Sequence, residues 1–276
     1  AALVALLLYQ WRGAMPWIQR DAWYGVWSRA VFGQAGPLTQ HGRWRFLVGQ
    51  ALPVLAVLLL LHVVGGCWFG MPAFFINLWV LLYAIGRGDI KRQIAALAAD
   101  LERDDLQGAA HVAATFNPGR YQDYADNEAA FRREIAQKSC YRFLEHHFAV
   151  IFWFAVAGAP GALWYRLAVI DCESSAAGDA RGDGARAWLQ VLEWLPVRLL
   201  GLTLPIGEKF RDGFTQWLKL LFGIRNHGEL LLAYVTVVEP EVAALANSGQ
   251  LLRMAALFRR ALMIWLVVGA VAVIFA

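Results

Sequence analysis

The stretch Phe46–Val64, FLVGQALPVLAVLLLLHVV, followed by Gly65-Gly66-Cys67 and then by Trp68–Gly86, WFGMPAFFINLWVLLYAIG, decides the fold. Each run lacks Asp, Glu, Lys and Arg and has roughly spanning length, because a ~30 Å hydrocarbon core needs about 20 helical residues at ~1.5 Å rise. The short Gly-Gly-Cys link leaves no room for a domain, so the pair is predicted to form an antiparallel helical hairpin. Further along, Phe148–Tyr165 is uncharged and seeds a predicted span over 148–170, and Ala261–Ala276 supplies a last span over 261–276. The expected architecture is all-α: one polytopic helical membrane domain over residues 1–276, with about four transmembrane helices at 46–64, 68–86, 148–170 and 261–276, plus amphipathic and re-entrant or half-buried helices.

Composition agrees with lipid as the solvent for much of the chain. Hydrophobic residues make up 59% and charged residues 17%, whereas about 45–50% apolar is usual for a soluble domain. The 13 Trp are read mostly as belt residues at the boundary between hydrocarbon and headgroups. The net charge of +4 arises from basic residues that flank apolar runs and form no stripe of their own, so no nucleic-acid partner is expected. Cys67, Cys140 and Cys172 are far apart, with no C-x-x-C and no His at ligand spacing, so neither a disulfide framework nor a metal site is expected.

Orientation follows from Lys and Arg. Arg43 and Arg45 precede the first span, Arg87, Lys91 and Arg92 follow the second, and the loop between carries none. The positive-inside rule then places the N-terminus and the helical segment 87–147 in the cytoplasm. Arg253, Arg259 and Arg260 place the start of the last span on the same side. Parity therefore demands a return after the third span, and the only candidate is 188–206, an apolar stretch interrupted by Glu193, Pro196, Arg198 and Pro205. Such a segment is tolerated at membrane depth only where its polar and broken parts are buried in protein or face water. It is expected to be a re-entrant or half-buried helix, with a fifth crossing as the alternative.

Outside the spans, Ile90, Ile94, Leu97 and Leu101 recur at helical steps between Asp89 and Leu106, with Asp89 placed to cap the start. Trp23, Trp27 and Val31 repeat every four residues near the N-terminus, and Leu3–Leu8 is apolar but short; both pieces are expected along the membrane surface. The Gly-rich stretch Glu173–Arg186 reads as a loop.

Two polar clusters are candidates for chemistry. The first is Tyr141, Arg142, Glu145, His146 and His147 before the third span, with Arg166 and Asp171 at its far end; Arg142, Glu145 and His146 share a helical face. Its plain structural reading is a snorkelling anchor belt. The second is Glu193 with Arg198, ionisable groups in an apolar segment that must pair or face a cavity. Adjacent His146 and His147 point about 100° apart on a helix and do not chelate one metal together. No catalytic triad or phosphate-binding loop is present, so no catalytic residue, metal or cofactor is expected.

The run Phe152-Trp153, Gly158-Ala159-Pro160-Gly161-Ala162-Leu163-Trp164-Tyr165-Arg166, then Leu192-Glu193-Trp194-Leu195-Pro196-Val197-Arg198, Gly207-Glu208-Lys209 and Glu239-Pro240 resembles the AmpE family. The resemblance implies a multi-pass protein of the bacterial cell inner membrane, a signalling modulator of β-lactamase induction linked to peptidoglycan recycling and to the cytoplasmic amidase AmpD. The same stretch is similar to the CbiB/CobD membrane enzymes of cobalamin synthesis. That family's first acidic and amide positions fall on Gln137, Tyr141, Arg142 and Glu145, its N-T-L-D stretch on Val169, Ile170, Asp171 and Cys172, and its paired Asp on Leu189 and Gln190. Only Glu145 keeps a carboxylate at its matched position, and Asp171 stands one residue from another. An amide-forming ligase needs such carboxylates.

The expected function is therefore regulatory, through ligand sensing or protein interaction in the lipid bilayer, with a homo-oligomer as a further expectation. The alternative is a membrane enzyme or transporter acting on an amphiphilic or anionic metabolite. The candidate ligand-binding residues are Arg142, Glu145, His146, Arg166, Asp171, Glu193 and Arg198.

Overall fold

Runs of Leu, Val and Ala without strand-like alternation leave helix as the conformation that satisfies every backbone N–H and C=O inside hydrocarbon. The computed structural model describes residues 4–5, 17–32, 45–66, 70–85, 88–116, 128–174, 180–207, 209–223, 226–244 and 247–275, and among the described residues it contains helices and no strand. Arg43, Cys67, Arg87, Gly178, Glu208 and most of Leu3–Leu8 lie outside them. Three helical stretches are long and apolar enough to cross a membrane, Leu47–Val64, Glu128–Ser174 and Ser248–Ala272. The chain is an all-α membrane protein.

The helices cluster in two compact units, Ala1–Gly88 with Ala149–Leu192, and Asp89–Phe148 with Glu193–Ala276. The first contains α1 (Ala22–Phe32), α2 (Arg45–Val64), α3 (Met71–Ala84) and α7 (Ala149–Ser174). Helix α7 packs on both α2 and α3, and α1 on α2. Little of α2 is buried in the protein, and an all-round apolar helix left so uncovered calls for lipid. The predicted span 68–86 forms the shorter α3, whose 14 residues measure roughly 21 Å at ~1.5 Å per residue. Gly70, at φ 76, and Pro72 set its start, and Ile85 leaves it with an extended ψ of 141.

The predicted span 148–170 is broken. Ala157 and Gly158 leave helical geometry, Gly158 at φ 63 and ψ −152, just before Pro160. That backbone region is open essentially to glycine alone. The amide N–H of Ala159, freed by the break, donates to Asn77 Oδ1 on α3 at 3.2 Å.

Tryptophans repair the other proline sites. Pro53 has no N–H for the carbonyl of Gly49, and Trp27 Nε1 donates to that oxygen at 3.1 Å. Pro196 likewise leaves the Leu192 carbonyl without its helical donor, and Trp153 Nε1 supplies one at 3.1 Å. These indoles act as internal fasteners, a role the belt reading did not foresee.

The second unit contains α4 (Ile90–Glu102), α5 (Leu106–Ala114), α6 (Glu128–Phe143) with a π-helical turn at Leu144–Phe148, α9 (Phe210–Leu220), α10 (His227–Val238), a 3-10 turn at Pro240–Ala243 and α11 (Ser248–Phe275). Helix α8 (Ala180–Thr203) contributes to the first unit up to Leu192 and to the second from Glu193. It covers much of the predicted Gly-rich loop as well as 188–203. In α4, Asp89 caps the start by accepting from Lys91 and Arg92 N–H, and Ile90, Ile94, Leu97 and Leu101 are buried, as their spacing predicts. The helix stops at Glu102 rather than running to Leu106, because Asp104 takes a left-handed φ of 54. Helix α11 begins at Ser248, so its uncharged run from Ala261 continues a polar first half. Phe258 stacks on Phe143 at 4.6 Å, and Trp265 meets Phe148 edge-on at 5.2 Å, seating α11 against the end of α6 and the π-turn.

Candidate functional site

The sequence-predicted site residues divide between the units. Arg166 and Asp171 belong to the first; Arg142, Glu145, His146, Glu193 and Arg198 belong to the second. All seven are buried.

In the first unit, the half of α7 beyond its break carries Arg166 and Asp171 inward. Asp171 Oδ2 accepts from Tyr24 Oη at 2.7 Å and from Gln50 Nε2 at 2.8 Å. Gln50 Oε1 in turn accepts from Trp164 Nε1 at 3.0 Å. Arg166 Nη2 donates to Asp21 Oδ2 at 2.9 Å, with Glu173 Oε2 at 3.9 Å. Asp21 Oδ1 also accepts from Tyr83 Oη at 2.9 Å, and Tyr83 accepts from Trp23 Nε1 at 3.1 Å. Buried charges require partners of this kind. The network ties the N-terminal segment 21–24 to α2, α3 and α7. The sequence reading named Arg166 and Asp171 but not Asp21, Tyr24, Gln50 or Tyr83; their pairing separations run from 62 to 147 residues, beyond any helical spacing.

In the second unit, the π-turn at the end of α6 carries Glu145, His146 and His147. Inserted π-turns inside helices often mark functional positions. Arg142 Nη1 pairs with Glu145 Oε1 at 3.3 Å, and Arg142 Nε donates to Gln93 Oε1 on α4 at 3.4 Å. The rings of His146 and His147 lie 4.4 Å apart.

Glu193, fully buried, forms a separate arrangement. Its Oε1 accepts from Tyr141 Oη at 2.6 Å, and its Oε2 lies 2.9 Å from His227 Nδ1. A carboxylate bonded to one imidazole nitrogen fixes the orientation of the ring. His227 was not singled out in the sequence; the signal was Asn226, which caps the start of α10 through Gly228 N–H and so places the next side chain.

Arg198 is engaged by backbone. It donates to the carbonyls of Leu221, Trp194 and Gly223 at 3.1, 3.2 and 3.1 Å, and its guanidinium lies 4.6 Å from the Trp194 ring centroid. Leu221 and Gly223 follow the end of α9, so the side chain caps that end, while Trp194 lies one turn back on α8. Among the described residues no group of three or more His, Cys, Asp or Glu is placed to hold a metal ion.

The family model described as regulatory signalling modulator protein AmpE matches residues 38–275. No curated protein and no solved structure matches the chain.

Proposed function

We propose, from the premise that this chain belongs to the AmpE family of regulatory signalling modulators, that it serves the bacterial inner membrane as a non-catalytic modulator of β-lactamase induction. In this reading it is coupled to peptidoglycan recycling and to the amidase AmpD, with its N-terminus in the cytoplasm. The observation that carries the reading is the state of Glu145. It is the one carboxylate retained at the positions matched to the cobalamin enzymes, and Arg142 holds it in a buried pair at 3.3 Å. A carboxylate committed in this way is an exchange partner for a ligand rather than a base awaiting a substrate proton.

Sensing would work by exchange at the guanidinium. The contacts of Arg142 to Glu145 and Gln93, at 3.3 and 3.4 Å, are longer than the ~2.7–2.9 Å of a good charge-assisted bond, so an anion offering two oxygens competes for them. His146, Glu193 and Arg198 complete the proposed ligand-responsive set in the second unit, and Arg166 with Asp171 form its counterpart in the first. The alternative, an enzyme or transporter for an anionic metabolite, draws support from Tyr141, Glu193 and His227, because a carboxylate–imidazole pair can hold and pass a proton.

In cells with an inducible β-lactamase, removing this chain is expected to change the induction ratio on challenge with a β-lactam. Restoring the full chain is expected to reverse the change, and Arg142→Ala is expected not to, at equal membrane abundance. An unchanged ratio after removal overturns the reading. So does purified protein that turns over a metabolite at a rate abolished by Glu145→Gln or His227→Asn.

A further inference from the structure

Helix α9 has an apolar arc wider than the protein covers. Gly213 and Leu220 face inward, and Trp217 is half-buried with its Nε1 donating to Arg198 O at 2.8 Å. Phe210, Phe214 and Leu218, one turn apart each, continue the arc outward at 50%, 39% and 51% exposure, and Phe222 follows at 82%. Arg211, Asp212, Thr215 and Lys219 occupy the next sector and are exposed as well. Neither uniform solvent suits this helix. Water leaves a row of aromatic rings uncovered, whereas hydrocarbon surrounds three ionisable groups. A boundary between the two, with the helix axis lying along it, satisfies both faces.

The start of α9 is held where such a boundary falls. Arg260 is the last charged residue before the uncharged run Ala261–Phe275 of α11, and an arginine at that position marks headgroup level. Its Nη2 donates to Leu204 O at 3.0 Å, and Trp265 Nε1 donates to Thr203 Oγ1 at 3.3 Å, in the segment that leads into α9. Gly207, at φ 107, turns the chain. Pro205 then packs so closely on Gly213 that a Cβ there has no room, which folds α9 back along the end of α8. On the polar sector Asp212 lies in the first turn, where the helix dipole favours it, leaving Arg211 and Lys219 to face outward.

We propose that α9 is an in-plane membrane-surface helix that seats Phe210, Phe214, Leu218 and Phe222 at the headgroup–acyl boundary of an anionic phospholipid leaflet, with Arg211 and Lys219 on the lipid phosphates. The charge on the polar sector complements anionic headgroups.

The full chain, with Cys67, Cys140 and Cys172 replaced by alanine, can carry one nitroxide at a time in vesicles of phosphatidylethanolamine and phosphatidylglycerol. Labels at Phe214→Cys and Leu218→Cys are expected to favour collision with oxygen over a water-soluble nickel chelate and to sit at equal depth, and labels at Arg211→Cys, Thr215→Cys and Lys219→Cys to show the reverse preference. Replacing phosphatidylglycerol by phosphatidylcholine is expected to raise nickel access at Phe214→Cys severalfold. Depth that increases steadily from 210 to 222 means a crossing, uniform nickel access means a surface for a soluble partner, and spin–spin broadening that disappears on dilution with unlabelled chain means a second copy; each overturns the proposal, as does indifference to phosphatidylglycerol. Hydrogen exchange of the unmodified chain in nanodiscs of the two compositions needs no substitution: amides of 210–221 are expected to be slower with phosphatidylglycerol, and equal rates overturn the anionic preference.

Discussion

The buried carboxylates of the two units are held by different kinds of partner. Asp171 is bound by a phenol and an amide, Tyr24 and Gln50, and Arg166 answers Asp21, so the first cluster joins residues far apart in the chain. Glu193 is bound by His227 and Tyr141, and Arg142 pairs with Glu145 three residues away while also reaching Gln93, so the second cluster combines a carboxylate–imidazole contact with an i, i+3 ion pair. The first is a staple between residues 21–24 and α2, α3 and α7; the second holds residues proposed above as an adjustable, ligand-responsive set.

The strongest break of that contrast is Arg166→Ala. It leaves Asp21, whose side chain is 29% exposed, without its buried cation, and because water reaches the carboxylate that remains, the expected cost in denaturant unfolding in detergent is about 2–3 kcal/mol, below that of breaking a fully buried pair. Protease access to the segment before α1 should rise with it, while Tyr141 and His227 keep their contacts. Glu193→Gln tests the other cluster. The amide retains an acceptor for Tyr141 but loses the charge facing His227, and a loss of about 1–3 kcal/mol is expected. If Glu193→Gln proves costlier than Arg166→Ala, the assignment of staple and adjustable set is reversed.

Tyr24→Phe sharpens the comparison by removing one hydrogen bond to Asp171 at nearly constant volume, with an expected cost of about 1.5–3 kcal/mol that shrinks in an Asp171→Leu, Gln50→Leu background, where no acceptor remains at 171. The smallest effect is expected from Trp164→Phe. Its indole bonds the neutral amide of Gln50, so about 0.5–1.5 kcal/mol is at stake, read from the same unfolding curves.

The helices were legible to differing degrees. The first span needed nothing beyond its run of Leu and Val, and the cap and spacing of α4 were readable from Asp89, Ile90, Ile94 and Leu97. Helix boundaries were less so: Met71–Ala84 is shorter than the apolar run that contains it, because Gly70 and Ile85 adopt non-helical geometry at its two ends. Gly158 and Pro160 stood in the sequence as a motif, yet the break they make is held by Asn77 from another helix. Of the clusters, Arg142 with Glu145 was readable as an i, i+3 pair. Helix α9 escaped notice because its hydrophobicity is unremarkable on average and becomes informative only when its inward half is known.

Hydropathy and residue spacing are local properties of the chain, so the sequence by itself determined the all-α membrane class, the main apolar spans, the basic flanks and a few polar residues, such as Glu193 and Arg198, that an apolar segment obliges to find partners. It also carried the family motifs. The identity of those partners was decided by tertiary structure alone. A buried charge or an orphan carbonyl demands some complementary group without specifying which, and only the packed helices bring Tyr24 to Asp171, His227 to Glu193, and the indoles of Trp27 and Trp153 to the carbonyls that Pro53 and Pro196 leave open.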